Sequence, residues 1–311
     1  MLSVIVPAFN EEESILHFYH ELLKVLPKLD KDYEIVFIDD GSQDNTLELI
    51  RELEKRDKNI RVFSFRRNHG KAEALTFGFQ KAKGDLIVTL DADLQDKPSE
   101  ISKLIDKQKE GYDLVSGWRK ERKDSFAKII FSKMFNVVAS LFWGIKLHDY
   151  NCGLKLYTAD AAKSLNLYGG MHRFIPLLVA EAGFLVTEVE IVHDIRRYGV
   201  SKYSAVKVLT QMPDMMTMLF LSKYGKRPLH FFGFVGAFLF ALGILISIYL
   251  SILHFQGETI GNRPLLLLGI VLIISGIQVG LSGLIADLVL NTSAKSSNIS
   301  EISLRYTSKD K

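Results

Sequence analysis

Leu86-Ile-Val-Thr-Leu-Asp-Ala-Asp-Leu-Gln95 decides how the first half of this chain is read. Five apolar or β-branched residues run straight into two carboxylates, which predicts a short buried strand whose far end meets solvent or a ligand. Similar runs occur at Leu2 to Val6, Glu34 to Ile38, Arg61 to Phe65 and Asp113 to Ser116. Helical spacing of apolar residues fills the intervals at Glu12 to Val25, Thr46 to Lys55, Lys71 to Ala82 and Ser99 to Lys109, the last opened by Pro98-Ser99. Strands alternating with helices imply an α/β fold with a doubly wound, mostly parallel sheet.

In such sheets ligands bind beyond the carboxyl ends of the strands. Three of those ends are polar in an informative way: Pro7-Ala-Phe-Asn-Glu11, Asp39-Asp40-Gly-Ser-Gln-Asp-Asn-Thr46 and Asp91-Ala-Asp93-Leu-Gln95. No Gly-x-Gly-x-x-Gly follows the first strand, which disfavours a dinucleotide fold. In extended chain the spacing of Asp91 and Asp93 puts both carboxylates on one side, and Gln95 continues the series with a neutral oxygen. Hard oxygens of this kind suit Mg²⁺ or Mn²⁺, which take one or two carboxylates and complete their shells with water and substrate phosphates.

The second half has a different character. Leu229 to Phe255 carries no charged residue apart from histidines at its margins, and Leu265 to Leu290 carries only Asp287, close to its end. Each run is about 26 residues, hence about 39 Å of helix at ~1.5 Å per residue, against a hydrocarbon core of about 30 Å. Both are expected to cross a membrane. Lys223, Lys226 and Arg227 precede the first run and Lys295, Arg305, Lys309 and Lys311 follow the second, whereas the connector has only Arg263. That asymmetry places both termini in the cytoplasm. No secretory leader is expected, because Met1 to Phe9 lacks a basic start.

Over all 311 residues, 39 Lys+Arg against 36 Asp+Glu leave a formal charge of +3, so no global basic field points to nucleic acid. The single cysteine, Cys152, excludes a disulfide framework and a multi-thiolate metal site. From Phe126 to Phe142 the helical pattern is apolar nearly all round, yet Lys128, Ser132 and Asn136 recur along one stripe. A phosphate on Lys128 and Ser132, with a lipid tail on the apolar remainder, explains that layout; a core helix with a thin polar edge is the alternative. The segment from Val206 to Tyr224, rich in methionine, suits a membrane interface or ordinary helix packing.

Together, Val6-Pro-Ala-Phe-Asn-Glu11, Asp39 to Thr46, Asn68-His-Gly-Lys71 and Asp91 to Gln95 resemble the signatures of family 2 glycosyltransferases with the GT-A fold. More narrowly they resemble the polyprenyl-phosphate sugar synthases, the group of dolichol-phosphate mannose synthase and bactoprenol glucosyltransferase. The likeness continues through Gly117-Trp-Arg119, Asp149-Tyr-Asn-Cys-Gly153 and Arg196 to Tyr203 into the paired helices. It implies a nucleotide pocket lined by Pro7, Phe9 and Glu11, with Ile38 and Asp40 beside the base, where a carboxylate can accept a hydrogen bond from a ring N–H. Asp39 can serve the turn instead. The resemblance further implies that Asp91 and Ala92 face ribose and diphosphate, and that Asp93 and Gln95 ligate Mg²⁺ or Mn²⁺. Lys71, Arg119, Arg196 and Lys202 would serve the donor, although Lys71 suits the surface equally and only register separates Arg196 from Arg197. Gly199-Val-Ser-Lys-Tyr203 reads as a loop closing over the donor or as a plain basic surface loop. Asp149 matches a proposed catalytic carboxylate, acting as base or as orienting group, with Asp91 beside it at the reaction centre; His148 reads as structural.

The expected organisation is a cytosolic GT-A domain over 1–205, an amphipathic juxtamembrane segment over 206–228, two transmembrane helices over 229–290 and a polar, mobile cytosolic tail over 291–311. The expected activity is inverting transfer of one hexose from UDP-glucose to polyprenyl (undecaprenyl) phosphate at the cytoplasmic face of the inner membrane. GDP-mannose is the alternative donor. Two spans alone offer little packing surface, which favours a homo-oligomer. From other classes, a scaffold that binds nucleotide sugar without turnover fits less well. A processive synthase is disfavoured because neither Trp118 nor Trp143 lies in a Gln-x-x-Arg-Trp motif.

Overall fold

β1 (Leu2–Ala8) is buried on both faces, which is why its sequence is apolar without alternation apart from Ser3, whose buried hydroxyl donates to Glu34. It lies inside an eight-stranded sheet of order β7-β5-β6-β4-β1-β2-β3-β8, in a computed structural model that describes residues 1–120, 145–194, 220, 224–225, 227–261, 263–293 and 304–307. β2 (Tyr33–Asp39) and β4 (Leu86–Thr89) pair in parallel with β1 on either side, and β3 (Ile60–Phe65) pairs in parallel with β2. β5 (Leu114–Arg119) and β7 (Val186–Ile191) are parallel to each other, and β6 (Lys155–Thr158) runs antiparallel between β5 and β4.

The helices cover both faces of this mixed, mostly parallel sheet. α1 (Ile15–Leu29), α2 (Thr46–Arg56) and α4 (Ile101–Gln108) pack Phe18, Ile50 and Leu104 with Val4, Val6 and Phe37. On the other face α3 (Lys71–Lys81), α5 (Ala159–Lys163) and α6 (Ile175–Glu181) pack Phe77, Phe79, Ala162 and Val179 with Ile5, Val36 and Ile38. Each large apolar side chain so buried contributes about 1.5–3 kcal/mol relative to exposure.

The five strands and four helices expected in the first 120 residues are all present, with ends displaced by a few residues. α1 starts at Ile15 without a side-chain cap on its first N–H groups; the Ser14 hydroxyl donates to Glu11 Oε2 at 2.9 Å and the Ile15 N–H to the Glu11 carbonyl at 3.0 Å, which ties the helix start to the loop after β1. The polar tail is not wholly without structure. Leu304–Thr307 forms β8, antiparallel to the edge strand β3, and backbone pairing explains this where the side-chain pattern gave no strand signal.

Two compact units make up the chain, Met1–Met215 with Ile299–Lys311 and Met216–Asn298. Within the second, α7 (Pro228–Phe255) and α8 (Pro264–Ser293) are long and apolar enough to cross a membrane. They meet over glycines. A Cβ on Gly236 would lie 2.7 Å from the Gly276 carbonyl oxygen, and one on Gly243 would lie 2.8 Å from that of Gly269. Contacts that descend on one helix as they rise on the other make the pair antiparallel, and such small residues let two backbones approach in lipid.

Candidate active site

The carboxyl ends of β1 and β2 are laced together before any ligand is considered. Asn10, at φ 53°, accepts from the Gln43 N–H at 2.9 Å and donates its own N–H to Ser42 Oγ at 3.0 Å. The Glu11 N–H donates to Thr46 Oγ1 at 2.8 Å. Pro7 pairs with Ile38 in register, and Phe9 and Glu11 follow it, half-buried, into the loop. These bonds between the two loops hold them without help from a substrate.

The paired aspartates after β2 divide their work. Asp39, 1% exposed, accepts from Ser64 Oγ at 2.6 Å and from the Ser42 N–H at 3.2 Å, so it fixes the turn. Asp40 accepts the His69 N–H on one oxygen at 2.7 Å and the Gly70 N–H on the other at 2.8 Å. Burial pushes its carboxyl above the usual range against those two bonds. Gly41, directly after Asp40, has φ +72°, and a Cβ there would lie 2.5 Å from the Arg67 carbonyl carbon, so only glycine lets the two loops approach this closely.

Past β4 the backbone turns at once, and this corrects the expectation of a shared face for Asp91 and Asp93. Leu94 has φ 61°, and Asp93 accepts the Gln95 N–H at 3.2 Å, so the period of two does not apply. Asp91 instead faces Lys71 at the start of α3, with Nζ 2.5 and 2.7 Å from its two oxygens. Burial pushes the Asp91 carboxyl up, but the Lys71 ammonium, with Lys155 behind it, holds it below the usual range. Ala92 and Asp93 are buried and Gln95 is half-buried.

Whether these residues suit a divalent ion is a question of donor chemistry. Asp93 and Gln95 bring one carboxylate and one amide oxygen to the same turn, and among the described residues no cluster of three His, Cys, Asp or Glu is placed to hold a metal. A site with so few protein oxygens suits Mg²⁺ or Mn²⁺ sharing its shell with water and a diphosphate.

Arg119 leaves the end of β5 and clamps Asp149. Nε donates to Oδ2 at 2.7 Å and Nη2 to Oδ1 at 3.2 Å, with a further bond from Nη2 to the Asn151 carbonyl at 3.2 Å. Their side chains are 15% and 2% exposed. Burial alone would lower the Arg119 pKa, yet the Asp149 charge raises it. His148 stacks on Trp118 at 4.1 Å and meets Glu188 at 2.5 Å through Nδ1, while both the His148 and Asp149 N–H groups donate to Glu188.

Several contributors carry no simple sequence signal. Asp96, 3% exposed, accepts the Leu154 N–H at 3.2 Å and faces His193 Nδ1 at 2.9 Å. A Cβ on Gly153 would lie 2.6 Å from Asp91 Oδ2 and 3.1 Å from Asp96 Oδ2, so glycine lets the turn after Asp149 pack on the turn after β4. Glu188 lies in the alternating strand β7, Lys155 starts the buried strand β6, and His172 lies near Lys71 and Asp91. Burial, reinforced by Lys71 and Arg173, brings His172 down to about 3, which keeps its ring neutral. Lys128, Ser132, Arg196 and Lys202, together with Arg197 and the methionines from 212 to 218, lie outside the described residues.

Set beside known proteins, residues 3–165 match the model of glycosyl transferase family 2. A dodecaprenyl-phosphate galacturonate synthase of Rhizobium johnstonii is 37% identical over 297 residues, spanning 94% of this chain and 88% of that protein. An undecaprenyl-phosphate 4-deoxy-4-formamido-L-arabinose transferase of Proteus mirabilis is 34% identical over 254 residues, 81% of this chain and 76% of that one. Glucosyl-3-phosphoglycerate synthase from Mycobacterium tuberculosis, solved with Mn²⁺ and UDP-glucose, superposes with a TM-score of 0.51 at 21% identity, over 72% of this chain and 78% of the other. That last likeness shows a shared GT-A fold. A family match over half the chain, joined to relatives alike along nearly all of it, makes this protein a member of glycosyl transferase family 2, among relatives that are polyprenyl-phosphate sugar synthases.

Proposed function

We propose that the protein transfers one sugar from a UDP-sugar to a polyprenyl phosphate at the cytoplasmic face of the inner membrane, inverting the anomeric carbon, with UDP-glucose as the first donor to test. The relatives' sugars, galacturonate and formamido-arabinose, make nucleotide-activated forms of those sugars the competing donors. The observation that carries this proposal is the bidentate Arg119–Asp149 pair and the Lys71–Asp91 pair at the carboxyl ends of β5 and β4, on a chain that also bears two helices fit to cross a bilayer.

In one displacement an oxygen of the acceptor phosphate forms a bond to the anomeric carbon as the bond to the UDP phosphate oxygen breaks. A phosphate whose second pKa is about 6 is already an anion near neutrality and needs no base. Asp149, engaged on both oxygens by Arg119, therefore serves as a fixed anion that orients the centre and steadies positive charge on the sugar. Lys71 and Asp91 border the same turn, and Asp40 holds the loop that starts α3. A divalent ion on Asp93 and Gln95 would supply the charge neutralisation that a departing diphosphate requires.

The test is transfer by full-length protein in detergent, with undecaprenyl phosphate, Mn²⁺ and a donor panel of UDP-glucose, UDP-galacturonate, UDP-4-deoxy-4-formamido-L-arabinose and GDP-mannose. A lipid-linked monosaccharide with release of UDP is expected by mass spectrometry. Donor binding without product from any of them would identify a scaffold instead, and release of GDP with a mannolipid would move the assignment to the guanine nucleotide.

A further inference from the structure

Lys155 is 3% exposed and stands at the start of β6, opposite Thr89 of β4 and Ser116 of β5. Its neighbours along the strand, Leu154, Leu156 and Tyr157, are fully buried. An ammonium in that setting is expensive unless paired, and leucine or methionine would fill the space at lower cost. Yet its hydrogen-bond acceptor among the described residues is a carbonyl, that of Cys152, and not a carboxylate. The charged and titratable groups that act on it are Asp149, Arg119, Lys71, Asp91 and the Cys152 thiol of its own turn.

That carbonyl belongs to the turn from Asp149 to Gly153. One end of the turn carries the carboxylate clamped by Arg119, and at the other end Gly153 packs on Asp91. We propose that Lys155 is a positioning residue for sugar transfer, its ammonium holding the Cys152 carbonyl and thereby fixing the turn that sets Asp149 against Asp91. This role rests on the site being the transfer centre proposed above.

Burial, with Lys71 and Arg119 adding to it against the pull of Asp149, brings the Lys155 pKa down to about 8. The holding form is the protonated one, so it is full below that pH and is lost as pH rises through it. The turnover number of the wild type should therefore fall on the alkaline side with a midpoint near 8. Lys155→Arg keeps its charge throughout this range, so the alkaline fall should vanish while part of the turnover survives. Lys155→Met should lower turnover at least tenfold at pH 7 with donor KM changed less than twofold, because Lys155 acts through the turn and not on the donor.

Amide hydrogen exchange in Lys155→Met supplies a readout independent of the reaction. The N–H groups of Asn151 and Leu154, which bond Asp149 and Asp96, should exchange at least tenfold faster, while those of β1 should not change. Unchanged exchange in the turn, turnover within twofold of wild type, or an alkaline fall that persists in Lys155→Arg would each overturn the role. Should Lys155→Met fail to fold, the pH profile of Lys155→Arg decides. Absence of product from the wild type with every donor would refute the transfer reaction, whereas the exchange measurement still tests the hold on the turn.

Discussion

Arg119→Met is expected to abolish most transfer and to be among the most destabilising single changes in the catalytic unit. The substitution strands Asp149, 2% exposed, without its bidentate partner. Breaking a buried pair from one side costs about 3–5 kcal/mol, because a charge remains in a place where water cannot reach it. Loss of a preorganised charge at a reacting centre adds a kinetic penalty of about 10²–10³-fold. The two effects separate in a double variant. Arg119→Met with Asp149→Leu removes both charges, so chemical denaturation should show most of the stability restored while transfer stays at the level of the single variant. Recovery of activity in the double variant would show that the pair is only a structural brace.

Asp40→Ala should release the loop that leads into α3 and with it the nucleotide. Its two oxygens satisfy the half-buried His69 and Gly70 N–H groups, and a donor left without a partner costs at most about 1–3 kcal/mol, less where water can reach it. Asp40→Asn keeps one acceptor oxygen, so its stability should fall by less. If the carboxylate also faces the base, UDP affinity by calorimetry should drop at least tenfold in the asparagine variant too. Affinity that follows stability alone across both variants would confine Asp40 to holding the loop.

How far these features can be read from sequence depends on what kind of signal each residue leaves. β1 to β5 are visible because runs such as Val4 to Val6 and Ile87 to Leu90 are fully buried and end at breaks as plain as Pro7 and Asp91. β6 has four residues and opens on Lys155, whose charge masks a buried position. β7 does alternate, as Val-Thr-Glu-Val-Glu-Ile, and that period could have revealed it. β8 owes its place to backbone pairing with an edge strand and leaves little in its side chains to find. At the site, carboxylates after apolar runs pointed to Asp40, Asp91 and Asp93, because a charge at a strand end is conspicuous. Asp96, Glu188 and the Arg119–Asp149 pairing depend on contacts between segments 30 to 97 residues apart, which no local pattern encodes. The shared face of Asp91 and Asp93 failed for a definite reason: the strand ends at Thr89 and Ala92 and Asp93 already lie in a turn, which Leu94 continues through a left-handed conformation.

The most direct test follows Mn²⁺ by electron paramagnetic resonance in full-length protein, with and without UDP, in the wild type and in Asp93→Ala. UDP should raise Mn²⁺ affinity in the wild type by at least tenfold, since nucleotide and protein would share the ion, and Asp93→Ala should remove that gain while leaving the far-ultraviolet circular dichroism unchanged. Equal Mn²⁺ affinity with and without UDP, or a gain that survives Asp93→Ala, would place the diphosphate away from the end of β4 and contradict the assignment of this site.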